Sequence, residues 1–170
     1  MGWKVELLEL LGVAIWFILP AYVANGAPVV LGGGRPIDGK RKFSDGRPIF
    51  GPGKTVRGFM AGLVAGSVLG LLQALPSGSH SRAAAGLMLS LGALTGDLFG
   101  SFLKRRLDIP RGGAAPLLDQ LGFVVFAMAF SSIVEFPGWT VTAAILIMTP
   151  IIHLGTNYCA YRLGLKDRPY

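Results

Sequence analysis

The sequence predicts an all-α, polytopic integral membrane protein of about five transmembrane helices, with its N-terminus outside and its C-terminus cytoplasmic. Three observations carry this: too few charges for a soluble surface, charge-free runs of membrane-spanning length, and one-sided placement of the basic residues. The chain has 170 residues, 52% hydrophobic and 15% charged, with a mean hydropathy of +0.56. A soluble domain carries about 25% charged residues, so this composition leaves too little polar surface to cover a core. The stretches Leu10–Gly34, Gly58–Ser81, Ala83–Gly96, Leu121–Val134 and Phe136–Tyr161 are free of charge. A bilayer core takes about 20 apolar residues per helix.

The expected spans are Leu8–Leu31, Thr55–Leu75, Arg82–Leu103, Pro116–Val134 and Trp139–Arg162, in one transmembrane domain over residues 1–170. The first begins among Glu6 and Glu9 and is too long for the apolar stretch of a signal peptide, so it reads as a span. The second and third carry glycine at every fourth position, Gly58, Gly62, Gly66 and Gly70, then Gly92, Gly96 and Gly100. Such ladders let helix backbones approach closely, and here they predict contact between spans 2 and 3. The third run is otherwise apolar but contains Asp97. The fourth is short. Pro20 and Pro150 predict kinks in spans 1 and 5.

Orientation follows from the basic residues. Fourteen of 16 Lys and Arg lie in the loops 35–54 and 104–115, at the adjoining helix ends and in the C-terminal tail, which leaves Lys4 and Arg82 for the other side. The positive-inside rule then places both loops and the C-terminus in the cytoplasm. A net charge of +7 without an aromatic-interleaved basic face argues against nucleic acid and for anionic headgroups or a phosphorylated ligand at the membrane surface. The single cysteine, Cys159, excludes an intramolecular disulfide and a cysteine-based zinc site.

Asp97 is the most informative residue, because a carboxylate inside a span is costly and points to function. Asp97, Ser101, Lys104, Arg105 and Asp108 share one stripe of a helix: a deep carboxylate, a hydroxyl, then cations at the rim. That order suits a metal and phosphates, although a cuff of snorkelling cations with Asp97 as a packing group has the same pattern. Asp119 opens span 4, where it serves either as a second Mg²⁺ ligand or as a first-turn aspartate favoured by the helix dipole. The loop 35–54 contains Asp38-Gly39 and Asp45-Gly46 and ends in Gly53-Lys54-Thr55. Pro48 and the absence of a preceding strand exclude a Walker P-loop. Small residues beside a lysine at a helix start still favour an anion. His153, Asn157 and Tyr161 follow at i, i+4 and i+8 of span 5, a spacing that interhelical hydrogen bonding also explains. His80 falls in an outer loop, and no Ser/His/Asp triad is visible.

Taken in order, these residues resemble the phosphatidate cytidylyltransferase superfamily. Gly96-Asp97-Leu98-Phe-Gly-Ser101-Phe-Leu-Lys104-Arg105 is similar to its Gly-Asp-Leu…Ser-x-x-Lys-Arg signature, and Pro116-Leu-Leu-Asp119-Gln120 takes the place of its Asp-Arg-x-Asp ending. Gly53-Lys54-Thr55-Val-Arg57-Gly58 is similar to its Lys-Thr-x-Glu-Gly element. The small size and the loop from Pro36 onward look more like the archaeal branch, the CDP-archaeol synthases. The bacterial-type second aspartate is replaced by Gly122.

The resemblance implies Mg²⁺-dependent transfer of CMP from CTP to an unsaturated isoprenoid ether-lipid phosphate at the cytoplasmic face of the cell membrane. It implies Asp97 and Asp119 as metal ligands, with Lys104 beside them in catalysis. Substrate binding would fall to Asp38, Asp45, Lys54, Thr55, Arg57, Ser101, Arg105 and Asn157. The nucleophile is already an anion, so no general base is required and none is found. A small transporter using Asp97 as its coupling carboxylate is the alternative, and the lack of an internal repeat speaks against it. A transferase that consumes CDP-lipids would need an Asp-Gly-x-x-Ala-Arg opening, which neither Asp-Gly pair continues into.

Overall fold

The computed structural model describes residues 2–110, 113, 115 and 117–165; Arg111, Pro116, Lys166 and Arg168 lie outside the described residues. Five α-helices follow in order: α1 (Gly2–Leu31), α2 (Val56–Ala74), α3 (His80–Arg106), α4 (Leu118–Ser131) and α5 (Trp139–Arg162). Among the described residues there are no β-strands beyond two isolated bridges, Pro36 with Thr55 and Lys42 with Pro48.

Four helices, α1, α2, α3 and α5, are long and apolar enough to cross a membrane. At 14 residues, α4 reaches only about 21 Å, short of a hydrocarbon core of about 30 Å, so it is a shorter apolar helix inside the bundle. Large apolar side chains such as Leu8, Val64, Ile147 and Ile151 are more than half exposed on the outside of the bundle. Water would penalise that surface and lipid does not.

A buried cluster binds four of the helices together. Ala14, Phe17, Ile18 and Ala21 of α1 meet Leu89 and Ala93 of α3, Phe123, Val124, Ala127 and Met128 of α4, and Ile145 of α5. Helix α2 joins through backbone approach instead. A Cβ at Gly66 would collide with Ser90 Oγ and the Pro20 carbonyl, and Gly70 lies directly on Gly86.

The two glycine ladders therefore do not face each other. The α2 ladder lies on α1 and α3, whereas a Cβ on Gly92 would sit 2.5 Å from the Phe126 carbonyl and one on Gly96 2.8 Å from that of Gly122, both in α4. Helices α2 and α3 do touch as expected, with Gly70 of the α2 ladder lying on Gly86, which is outside the α3 ladder.

Pro20 lies inside α1. Having no N–H, it leaves the Trp16 carbonyl, four residues earlier, without its helical donor. Gln73 Nε2 supplies one at 2.7 Å, and Arg82 Nη2 reaches the same carbonyl and that of Phe17, each at 3.3 Å. Arg82 also pairs with Glu135 at 3.1 Å and lies over the Phe17 ring. This buried brace ties α1, α2, α3 and the end of α4 together, at the opposite end from the long loop.

Candidate active site

The loop between α1 and α2 folds on its own carboxylates. Buried Asp38 accepts hydrogen bonds from the backbone N–H groups of Lys40 (3.0 Å), Phe50 (3.0 Å) and Gly51 (2.9 Å). Burial alone would raise its pKa, but the N–H donors of Gly51, Phe50 and Lys40 outweigh that and hold the carboxyl below the usual range. Asp45 caps the turn before Arg47 (3.0 Å) and accepts Arg106 Nη1 at 2.7 Å. The loop returns along itself, with Ile37 N–H donating to Lys54 O and Val56 N–H to Arg35 O. Thr55 is the N-cap of α2, and its Oγ1 accepts from Gly58 N–H at 3.1 Å.

This folding lays the segment 50–54 against the last turns of α3. A cleft of about 190 Å³ opens between them, lined by Gly51, Gly53 and Lys54 on one side and by Ser101, Lys104 and Arg105 on the other. Two ion pairs flank it. Lys54 Nζ meets Asp97 Oδ2 at 2.5 Å, and Lys104 Nζ meets Asp119 Oδ1 at 2.6 Å, with all four side chains between 16% and 32% exposed. The second Asp119 oxygen accepts Ala115 N–H at 2.9 Å. Arg105 Nε is buried with no hydrogen-bond partner among the described residues. Arg106 Nε, outside the cleft, is in the same state, so the contribution of Arg105 to the cleft is its charge at the wall. Beyond Lys54 the site continues into a small, mostly apolar slot between Pro28, Phe59, Leu94 and Leu98.

The structure thus lines one cleft with Lys54, Ser101, Lys104 and Arg105, joins Asp97 and Asp119 to it through their ion pairs with Lys54 and Lys104, and places Asp97 and Thr55 on the adjoining slot. The remaining expected site residues are elsewhere. Asp38 is engaged within the loop, and Asp45 joins the loop to Arg106 at the end of α3. Arg57 Nε donates to the Leu31 carbonyl at 2.9 Å, closing the end of α1. Asn157 meets His153 at 3.1 Å on α5, and the His153 ring lies near Phe123. Asp108 leaves the expected stripe, because α3 ends at Arg106 and Asp108 turns into the left-handed region at φ 59°.

The two carboxylates are held apart. Each takes its own lysine, and Asp97 and Lys104 are separated by about 10.5 Å along α3 at 1.5 Å per residue. Among the described residues no three His, Cys, Asp or Glu side chains group as a metal cage. Mg²⁺ does not need one, since one or two carboxylates with substrate phosphate oxygens and water complete its shell. Held apart in this way, the two do not form one shared site, but either Asp97 or Asp119 can supply the single carboxylate that Mg²⁺ takes beside phosphate oxygens and water. Sequence reasoning missed Arg47 and Arg106, which bind the loop to α3. The only signal for Arg47 was its place just after the Asp45-Gly46 turn.

Comparison with known proteins accords with this geometry. The family model described as CarS-like: CDP-archaeol synthase matches residues 7–170. The CDP-archaeol synthase of Thermococcus gammatolerans is 49% identical over 166 residues, covering 92% of this chain and 95% of that protein. The CDP-archaeol synthase of Thermococcus kodakarensis is 47% identical over the whole of both chains. A solved structure described as an intramembrane enzyme for archaeal membrane lipid biosynthesis is 46% identical, with a TM-score of 0.78 over 85% of this chain and 92% of that one.

Proposed function

This chain belongs to the CDP-archaeol synthase family, as a membrane-embedded, CTP-dependent cytidylyltransferase of archaeal lipid synthesis, and on that premise we propose its substrate, metal and site. The lipid substrate is 2,3-bis-O-geranylgeranyl-sn-glycerol 1-phosphate, the site faces the cytoplasm, and the reaction uses Mg²⁺. The observation that carries the site is the cationic cleft itself, in which Lys54, Lys104 and Arg105 converge.

The chemistry asks little of a base. The lipid phosphate monoester is already an anion, and one of its oxygens attacks the α-phosphorus of CTP. The bond from that phosphorus to the β-phosphate oxygen breaks, and pyrophosphate leaves. The barrier comes from bringing two anions together, so catalysis rests on alignment and charge neutralisation. Lys54, Lys104 and Arg105 neutralise the triphosphate, and Ser101 adds a neutral donor at the cleft wall. As the phosphates enter, the two lysines shift from their carboxylates toward the new anions. Asp97 and Asp119, each released on its own side of the cleft, would then each offer one carboxylate to Mg²⁺, which when bound would supply Lewis-acid neutralisation of the triphosphate.

Thr55, Arg57 and Asp38 support this arrangement by shaping the backbone around it. Family membership and the polar cleft leave the transporter reading without support.

Nucleotide titration in detergent tests the site. CTP is expected to bind the purified protein, with Lys54→Ala and Arg105→Ala each weakening binding about tenfold or more. Unchanged CTP affinity in both variants would remove the cleft as the triphosphate site.

A further inference from the structure

The loop between α1 and α2 is strapped to the end of α3 by contacts that lie outside the cleft. Arg106 Nη1 donates to Asp45 Oδ1 at 2.7 Å and its Nη2 to the Pro48 carbonyl at 2.5 Å. The Arg106 guanidinium also lies over both the Phe43 and Phe102 rings, which themselves meet edge to face at 5.4 Å. In the opposite sense, Arg47 Nη1 donates to the Arg106 carbonyl at 2.8 Å and reaches that of Arg105 at 3.5 Å. Its Nη2 is 3.5 Å from Asp108. Each partner thus holds the other's backbone, and Arg47 places a cation at the negative end of the α3 dipole.

The strap connects to the cleft on both sides. On the loop side, Asp38 ties Phe50 and Gly51, just after the strapped hairpin, to the base of the loop, and Gly51, Gly53 and Lys54 follow as the cleft wall. On the helix side, the carbonyls held by Arg47 belong to the turn that carries Arg105 across the cleft. Loosening the strap would let the two walls separate without removing any group that touches a substrate.

We infer that Asp45, Arg47 and Arg106 are positioning residues that clamp the 42–49 hairpin on the end of α3 and so set how closely Lys54 and Arg105 approach the CTP triphosphate. This role rests on the proposed reading of the cleft. It reassigns Asp45 from substrate contact to the clamp.

The test compares wild type, Asp45→Ala, Asp45→Glu and Arg106→Ala in detergent by three readouts. Lys40, Arg41 and Lys42 are exposed beside the hairpin, so trypsin cleavage there reports its release from α3. Steady-state assays give KM for CTP and for the lipid phosphate separately, and thermal unfolding reports global stability. Asp45→Ala and Arg106→Ala should be cleaved about tenfold faster and raise the CTP KM about tenfold, with the lipid KM within twofold. Asp45→Glu, which keeps the carboxylate, should restore both values most of the way, and all variants should unfold near the wild-type temperature. Unchanged cleavage and CTP KM in Asp45→Ala would overturn the inference, as would equal rises in both KM values with a lowered unfolding temperature. A wild type that transfers no label from CTP would instead refute the cytidylyltransferase reading, and the trypsin rates would still decide whether the clamp exists.

Discussion

Replacing Arg82 with methionine removes the hub of the brace between α1, α2, α3 and the end of α4 while keeping an unbranched side chain of similar reach. Four acceptors lose a donor: the carbonyls of Trp16 and Phe17, Gln73 Oε1 and Glu135 Oε1. Breaking a fully buried ion pair by removing one partner costs about 3–5 kcal/mol. Here the Arg82 side chain is 11% exposed but Glu135 is 32% exposed, so solvent recovers part of the loss. The Trp16 carbonyl also keeps Gln73. The net cost is then about 2–3 kcal/mol, with the Phe17 carbonyl and the Gln73 amide contributing to it. For a chain of this size each kcal/mol lowers the unfolding temperature by about 2–4 °C, which gives a fall of about 4–12 °C. Thermal unfolding in detergent, followed by circular dichroism, reads this directly. Glu135→Gln in the Arg82→Met background should add little, because the pair is already broken. A variant within about 0.5 kcal/mol of wild type, the range of an ordinary surface substitution, would refute the reading of Arg82 as a structural hub.

Three further outcomes follow from the same geometry. Asp97→Asn keeps the volume at the Lys54 contact but removes the charge, so turnover should fall at least about 100-fold with the helical spectrum retained; near-normal turnover would take Asp97 out of the site. Gly92→Ala should destabilise by about 1–3 kcal/mol, since its Cβ would lie 2.5 Å from the Phe126 carbonyl. Gly100→Ala, with nothing nearer than 3.8 Å, should be tolerated, and equal effects of the two in unfolding experiments would contradict the packing described. The N–H donors of Gly51, Phe50 and Lys40 hold the Asp38 carboxyl below the usual carboxylate range, so its contribution to loop stability is complete above that range and drains as acid takes the pH through the lower folded value. Hydrogen exchange at Phe50 and Gly51, corrected for intrinsic rates, should quicken over that acid range in wild type and stay flat in Asp38→Asn; parallel curves would contradict the role.

Much of the bundle was legible because a bilayer imposes long charge-free runs, and α5 covers the residues read from the sequence, Trp139–Arg162. Helix α4 was overextended because apolarity continues past Ser131, where the helix ends in a turn. The chemistry of the cleft was legible as residue types on the α3 stripe. Its pairings were not, since Lys54 reaches Asp97 across 43 positions of chain and only the folded loop decides that. The loop-organising bonds of Asp38 and Asp45 were not legible, because a carboxylate that organises a loop and one that binds a ligand look alike in sequence. Arg57 and Asn157 carry matching residue types, yet the helix rotation turns one to the end of α1 and the other to His153. Arg82 read only as an outer charge. Its burial depends on a carbonyl left free by Pro20, a tertiary consequence of a local backbone defect.

Cytidylyl transfer is read by following the label of CTP into lipid. Purified protein with Mg²⁺ would receive CTP labelled at either the α- or the γ-phosphate, with the geranylgeranyl ether-lipid phosphate and a diacyl phosphatidate offered separately. The α-label should enter the lipid phase with the ether lipid, the γ-label should leave as pyrophosphate, and Asp97→Asn should abolish both. Lipid-phase label from the γ-position, or no transfer from either position by folded wild-type protein, would contradict cytidylyl transfer.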